Sequence, residues 1–190
     1  QTTYTVWANN TGGSASTTIN ITVNEPIATF SYSPSTVIFT RGVSIVDMIP
    51  TNSGGFAATW EISPSLPSGV SLMNGIISGT PTVNSTQTMY TVWANNTGGS
   101  ASTTINMTIN EPLATFSYSP STVVFTRDVS ITNVSPINSG GFAATWEISP
   151  YLPTGLSFSN GIISGTPAVN LTQTTYTVWA NNTGGSASTT

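Results

Sequence analysis

The chain has 190 residues, only 4% of them charged, with a formal net charge of −4 and no His or Cys. Lys is absent as well, and two arginines, Arg41 and Arg127, cannot grip a phosphate backbone, so nucleic acid is excluded as a partner. Absent Cys excludes a disulfide framework and leaves the redox compartment open.

The chain opens on Gln1 to Thr18, a stretch that returns at Gln87 to Thr104 with one change, Met89 in place of Thr3. It returns again, unchanged, at Gln173 to Thr190, so the period is 86 residues. A fixed period of this length means one small domain per unit, in tandem. Residues 1–25 read as the C-terminal strands of a preceding repeat, 26–111 as a full repeat, and 112–190 as a repeat lacking the end of its last strand. An isolated hairpin is marginal in water, so the expectation is a register cut from a longer periodic chain. The rival is strand exchange, the start of one chain completing the sheet of another.

Within the unit, Ala28 to Ser33 alternates and stops at Pro34, as an edge strand does. Val37 to Phe39 and Val43 to Ile45 read as two strand pieces around Arg41-Gly42. Thr51 to Gly55 is a loop by composition. Phe56, Ala58, Trp60 and Ile62 then fall on one face, with Ala57, Thr59 and Glu61 on the other, the pattern of a half-buried antiparallel strand. Val70 and Leu72 start a short strand, Asn74-Gly75 signals a type I′ hairpin turn, and Ile76-Ile77 starts the return. Thr88 to Ala94 is the next strand, Asn95 to Gly99 turns the chain, and Ala101 to Asn110 comes back with Ile105, Met107 and Ile109 on one face. No helical period of 3.6 is present. Seven or so short strands between turn signals predict an antiparallel β-sandwich.

Leu66-Pro67-Ser68-Gly69-Val70-Ser71-Leu72, Gly75-Ile76-Ile77-Ser78-Gly79-Thr80-Pro81, Val92-Trp93-Ala94-Asn95 and Gly99-Ser100-Ala101 resemble the immunoglobulin-like repeat of large microbial surface proteins. The second copy carries the pattern at Leu152 to Leu156 and Gly161 to Pro167. The resemblance covers essentially the whole unit and implies an all-β fold of tandem immunoglobulin-like antiparallel sandwiches. It implies roles as spacers in adhesins, surface-layer proteins and secreted enzymes. Related cadherin-like domains bind calcium through clustered Asp and Asn residues between domains. Here the junction offers only Asn110-Glu111-Pro112, and no metal is expected.

The two copies agree at about four positions in five, and many differences are core-conservative: Val23 and Ile109, Ile38 and Val124, Val70 and Leu156, Leu72 and Phe158. The densest run of differences sets Val46 to Thr51 against Thr132 to Ile137, and reads as a tolerant loop.

Catalysis needs groups that change protonation or attack. The inventory is Arg41, Arg127, Asp47, Asp128, Glu25, Glu61, Glu111 and Glu147. Two carboxylates can serve a glycosidase. Yet the pairs repeated in both units, Glu61/Glu147 and Glu25/Glu111, fall mid-strand and at the junction, where solvated or Arg-paired carboxylates are expected. No enzyme and no cofactor are predicted. Lysine-based isopeptide crosslinks are impossible, and a Thr–Gln ester has no activating group.

Ordinary soluble proteins carry roughly 25% charged residues. Here Ser and Thr make up about a third of the chain, and such a surface lacks the charge that normally keeps proteins apart. It implies association or solvation by attached glycan. Asn-x-Ser/Thr acceptors stand at Asn9, Asn20, Asn84, Asn95, Asn106, Asn133, Asn170 and Asn181. Chance alone, with seventeen Asn, gives about five or six of them. Their placement adds weight: Asn95 in a hairpin turn, Asn106 on an outward face, Asn84 in the loop after Pro81. Trp60 and Trp146 are expected inside. The resemblance implies that Tyr90, Val92 and Ala94 face inward, and period two then turns Trp7, Trp93 and Trp179 outward as contact candidates, with each indole lying across Ala57 and Thr59 or their equivalents, or packing on sugar or a neighbouring domain.

The expected function is a structural segment of a long extracellular fibre, stalk or surface-layer-type protein, glycosylated and at the cell surface. Its partners are neighbouring copies of the repeat and attached glycan or surface carbohydrate. The alternative is an adhesin or carbohydrate-binding module using the outward Trp residues. No apolar run approaches the roughly 20 residues of a membrane span, and no signal peptide is visible.

Overall fold

A computed structural model describes residues 1–190 as strands and loops, without helices. The elements are β1 (Thr2–Asn10), β2 (Gly13–Ile21), β3 (Phe30–Ser31), β4 (Thr36–Thr40), β5 (Thr51–Asn52), β6 (Thr59–Ser63), β7 (Val70–Met73), β8 (Ile76–Gly79), β9 (Ser85–Asn96) and β10 (Gly99–Asn110). In the second copy they are β11 (Phe116–Ser117), β12 (Ile137–Asn138), β13 (Thr145–Ser149), β14 (Leu156–Ser159), β15 (Ile162–Gly165), β16 (Thr177–Asn182) and β17 (Gly185–Thr189).

β1 and β2 form a two-stranded hairpin in which every residue is exposed. The first sandwich then sets a four-stranded sheet, in the order β4-β10-β9-β6, against a layer built from the pairs β3-β5 and β7-β8. Met48 ties those pairs together by bridging to Ile77, with backbone bonds of 2.9 and 3.1 Å. Every strand pairing is antiparallel except β4 with β10, which run parallel from Thr36↔Asn106 to Thr40↔Asn110.

The alternation in the long strands sets the core. Tyr90, Val92 and Ala94 on β9 and Ile105, Met107 and Ile109 on β10 are all buried; Ala94 packs with Ala28 and Ala57, and the others meet Tyr32, Ile45, Met48, Val70 and Ile77 from the opposite layer. Burying a side chain of this size is worth roughly 1.5–3 kcal/mol, so these residues dominate the unit. The second copy repeats the plan with the sheet β13-β16-β17. Thr190 ends the described chain before any counterpart of Ile105, Met107 and Ile109. Its equivalents of Val70, Ile77 and Tyr90, namely Leu156, Ile163 and Tyr176, are accordingly only half-buried. Thr122–Thr126, the counterpart of β4, forms no strand there.

Three local expectations are corrected. Thr51 and Asn52, read as the start of a loop, pair with Ser31 and Phe30 as β5. Val43 to Ile45 is not a strand; Ile45 reaches the core through a single backbone bond to Gly79. The inward face of the Trp60 strand does not extend back to Phe56 and Ala58. Ala57 is buried instead, and Phe56 is 77% exposed. The reason is that β6 begins only at Thr59. The segment before it is pinned by its carbonyls, with Asn52 Nδ2 donating to Gly55 O and Asn96 Nδ2 to Phe56 O. An extended alternation therefore cannot start until the chain leaves the Gly54-Gly55 loop.

Candidate functional site

No cluster of His, Cys, Asp or Glu capable of holding a metal ion is present. The most specific arrangement of polar groups lies where one repeat enters the next. β9 and β10 are joined by a two-residue turn, Thr97-Gly98, and the residue before it, Asn96, is fully committed. Its Oδ1 accepts from Gly98 N at 2.8 Å, while its Nδ2 donates to Pro26 O at 2.6 Å and Phe56 O at 3.0 Å. Thr97 Oγ1 accepts the Glu25 N–H at 3.0 Å. The turn thus holds the backbone of the incoming Glu25-Pro26 linker on both sides of its peptide bond.

Two glycines make the approach possible. A Cβ on Gly98 would sit 2.0 Å from Glu25 O, and one on Gly55 would sit 1.9 Å from Pro26 O. No side chain fits at such distances. The second copy repeats the clamp on Glu111-Pro112. Asn182 Nδ2 donates to Pro112 O at 2.8 Å, Thr183 Oγ1 accepts from Glu111 N at 2.8 Å, and Gly184 and Gly141 make the same close approaches.

Glu111 is also held from upstream. Arg41 donates through Nη2 to Oε2 at 2.6 Å and through Nε to Oε1 and Oε2 at 3.1 and 3.2 Å. The Glu111 side chain is 17% exposed. Its hydrogen bond and then its charge push the Arg41 pKa up. Arg127, the equivalent in the second copy, pairs with its neighbour Asp128 instead. One short linker is therefore gripped by the repeat behind it and the repeat ahead.

Sequence reasoning placed Glu111 at the junction and allowed for Arg pairing, but it read Thr51 to Gly55 only as a loop by composition and Asn95 to Gly99 only as a turn. The available signal was their recurrence: Ser-Gly-Gly-Phe at 53–56 and 139–142, and Asn-Asn-Thr-Gly-Gly in all three copies. A Gly pair kept in a polar turn marks a close backbone approach.

The acceptor asparagines occupy distinct environments. Asn84 and Asn170 are exposed in the irregular segment leading into the long hairpin. Asn133 is exposed in the loop before the Val134–Ile163 bridge. Asn106 lies mid-strand on β10, flanked by Thr36 of β4 and Met89 of β9. Asn9 and Asn20 are exposed on the first hairpin, where Asn20 accepts from the Thr3 hydroxyl. Asn95 is not in the turn but two residues before it, in β9, with its Nδ2 donating to Glu61 Oε1 at 3.0 Å. Asn181 does the same to Glu147 at 3.0 Å.

Trp60 and Trp146 turn toward the core as expected, but are half-buried, each packed edge-on against a Phe (Phe30 or Phe116) at 4.8 Å between ring centroids. Trp93 and Trp179 point to the outer face and are half-buried too. In register with Trp93 stand Glu61 on β6 and Ser102 on β10. Only Trp7, whose hairpin has no flanking strands, is widely open at 63%.

A family model described as "Putative Ig domain" matches residues 27–110 and again 112–190. No curated protein matches the chain. Among solved structures, the I-band fragment I67-I69 from titin is similar at a TM-score of 0.50 and 17% identity, over 98% of this chain and 71% of that one. The N-terminal four Ig domains of Dscam1 isoform 9.44 are similar at a TM-score of 0.51 and 13% identity, over 88% of this chain and 45% of that one. At these identities the likeness is one of fold.

Proposed function

The chain belongs to the Putative Ig domain family, in two consecutive copies, and from that premise we propose that it is a stiff structural segment of an extracellular stalk, fibre or surface-layer-type protein. The observation that carries this reading is the clamp on Glu25-Pro26 and Glu111-Pro112, repeated contact for contact. A flexible connection between domains needs solvated backbone. Here the linker's N–H and C=O groups are taken by the following repeat, and the approach is too close for any side chain to intervene. Repeats joined in this way transmit direction from one unit to the next, which suits a rod. A sparse charge inventory, committed at the junction and to Asn95, supports a non-enzymatic role.

The rival, an adhesin or carbohydrate-binding module using its outward Trp residues, needs an open indole face. Trp93 and Trp179 are half-buried, which favours the structural role. No helix is long and apolar enough to cross a membrane.

Small-angle scattering tests the proposal. The protein should give a single extended shape. The double variant E111Q/T183A, which loosens the ion pair and removes the acceptor for the linker N–H, should give a broader, more compact distance distribution at unchanged β content. If the unaltered protein already scatters as freely jointed domains, the stalk reading is lost.

A further inference from the structure

We infer that Asn84 and Asn170 are the N-glycan attachment sites of the repeat, and that the Asn95 and Asn181 acceptors are structural and stay unmodified. The inference rests on the extracellular reading above. A glycan replaces one of the two hydrogens on Asn Nδ2 and needs open space around that atom. Two acceptor sequences recur in both copies, one in the irregular segment before β9 or its equivalent and one in the central strand itself, and their surroundings are opposite.

At Asn95 the Nδ2 faces Glu61 Oε1 at 3.0 Å and Thr59 Oγ1 at 3.5 Å, across the β6–β9 pairing. The hydroxyl of the same acceptor sequence, on Thr97, is already used by the linker N–H of Glu25. Asn181 and Thr183 repeat both commitments to Glu147 and Glu111. A sugar on this nitrogen would crowd the contact to the carboxylate and stand where the linker enters. A chain glycosylated here before folding would therefore fold into a weaker joint.

At Asn84 the side chain is exposed and sits outside regular structure. Asn170 is exposed in the equivalent segment. The two copies differ on both sides of the Asn, with Thr82 against Ala168 and Ser85 against Leu171, yet Asn and the following Thr are the same. Val83, Val169 and Leu171 beside them are 44%, 45% and 57% exposed, apolar area that a glycan would shield. Position matters as well. Asn84 immediately precedes Ser85, whose register partner is Ile109, two residues before Glu111. A glycan there stands beside the exit of the repeat, next to the joint with the following one, and recurs once per period.

The test is site-by-site occupancy. The protein is secreted from a cell line that N-glycosylates, deglycosylated with peptide N-glycosidase in heavy-oxygen water, cut with chymotrypsin and read by mass spectrometry. Occupancy at Asn84 and Asn170 should exceed that at Asn95 and Asn181 by about tenfold, the change in folding equilibrium that disrupting a hydrogen bond to a charged group brings. The variant N84Q/N170Q should lose glycan mass with its thermal midpoint unchanged, as measured after enzymatic deglycosylation of both proteins. N95Q/N181Q should keep glycan at Asn84 and Asn170 and melt lower. Comparable occupancy at Asn95, or bare Asn84 and Asn170, overturns the inference. Either result leaves the scattering test of the stalk untouched, so the two readings fail separately.

Discussion

Tyr32 crosses the first sandwich to donate its hydroxyl to the Gly75 carbonyl, and Tyr118 does the same to Gly161. Burial pushes both phenols up to about 12, because a phenolate there would be stripped of water. In an unfolded chain a tyrosine ionises near pH 10. The folded value lies above the unfolded one, and the protonated form is the neutral one. Below about pH 10 both states keep the proton and stability is full; between about 10 and 12 only the unfolded state releases it, so stability falls as pH rises. Urea midpoints should therefore drop through that window. In Y32F/Y118F the drop should shrink, with a loss of roughly 1 kcal/mol per site at neutral pH from the missing hydrogen bond. Equal alkaline slopes in both proteins would refute the assignment. The inward direction of Tyr32 was legible, since it shares a period-two face with Ala28 and Phe30. The carbonyl it reaches, 43 residues away, was not, because nothing local encodes which turn the opposite layer will present.

At the scale of elements, alternation read together with the family pattern gave the inward faces of β9 and β10, with Tyr90, Val92 and Ala94 and then Ile105, Met107 and Ile109 all buried. Ile105→Ala should cost roughly 2–5 kcal/mol in denaturant unfolding. Met89→Ala, on the outer face and 61% exposed, should stay within about 0.5 kcal/mol. Similar costs for the two would mean the faces are reversed. The pattern misled before β6, where Phe56 looked inward by spacing and is not. Periodicity holds only while the backbone is extended, and Gly54-Gly55 ends that condition. The clamp was illegible for a related reason: its contacts join residues about 70 apart, and its working parts are absent side chains. Gly141→Ala should reveal it. A methyl aimed at Pro112 O has nowhere to go, and a cost of roughly 1–3 kcal/mol is expected from the forced backbone shift. An unaltered midpoint would show that the joint is slack.

For the whole molecule, the two arginines act as internal reporters, because trypsin has no other target in the described chain. The Arg41 side chain is 38% exposed, follows β4 and is tied to Glu111; Arg127 is 54% exposed, after a segment without strand structure. Native cleavage should therefore occur first at Arg127. E111Q should speed the cut at Arg41 while leaving the Arg127 rate alone, read by gel densitometry; a first cut at Arg41 would contradict this order. The joint has a thermodynamic corollary. Thr183 belongs to one repeat, Arg41 to the one before, and both hold Glu111. Unfolding either unit releases the other's grip, so stability becomes a nearest-neighbour sum along the array. Chains of one, two, three and more repeats should melt at rising temperatures that level off. A unit denatured anywhere in the row should loosen its neighbours first, letting damage spread outward from a point in both directions.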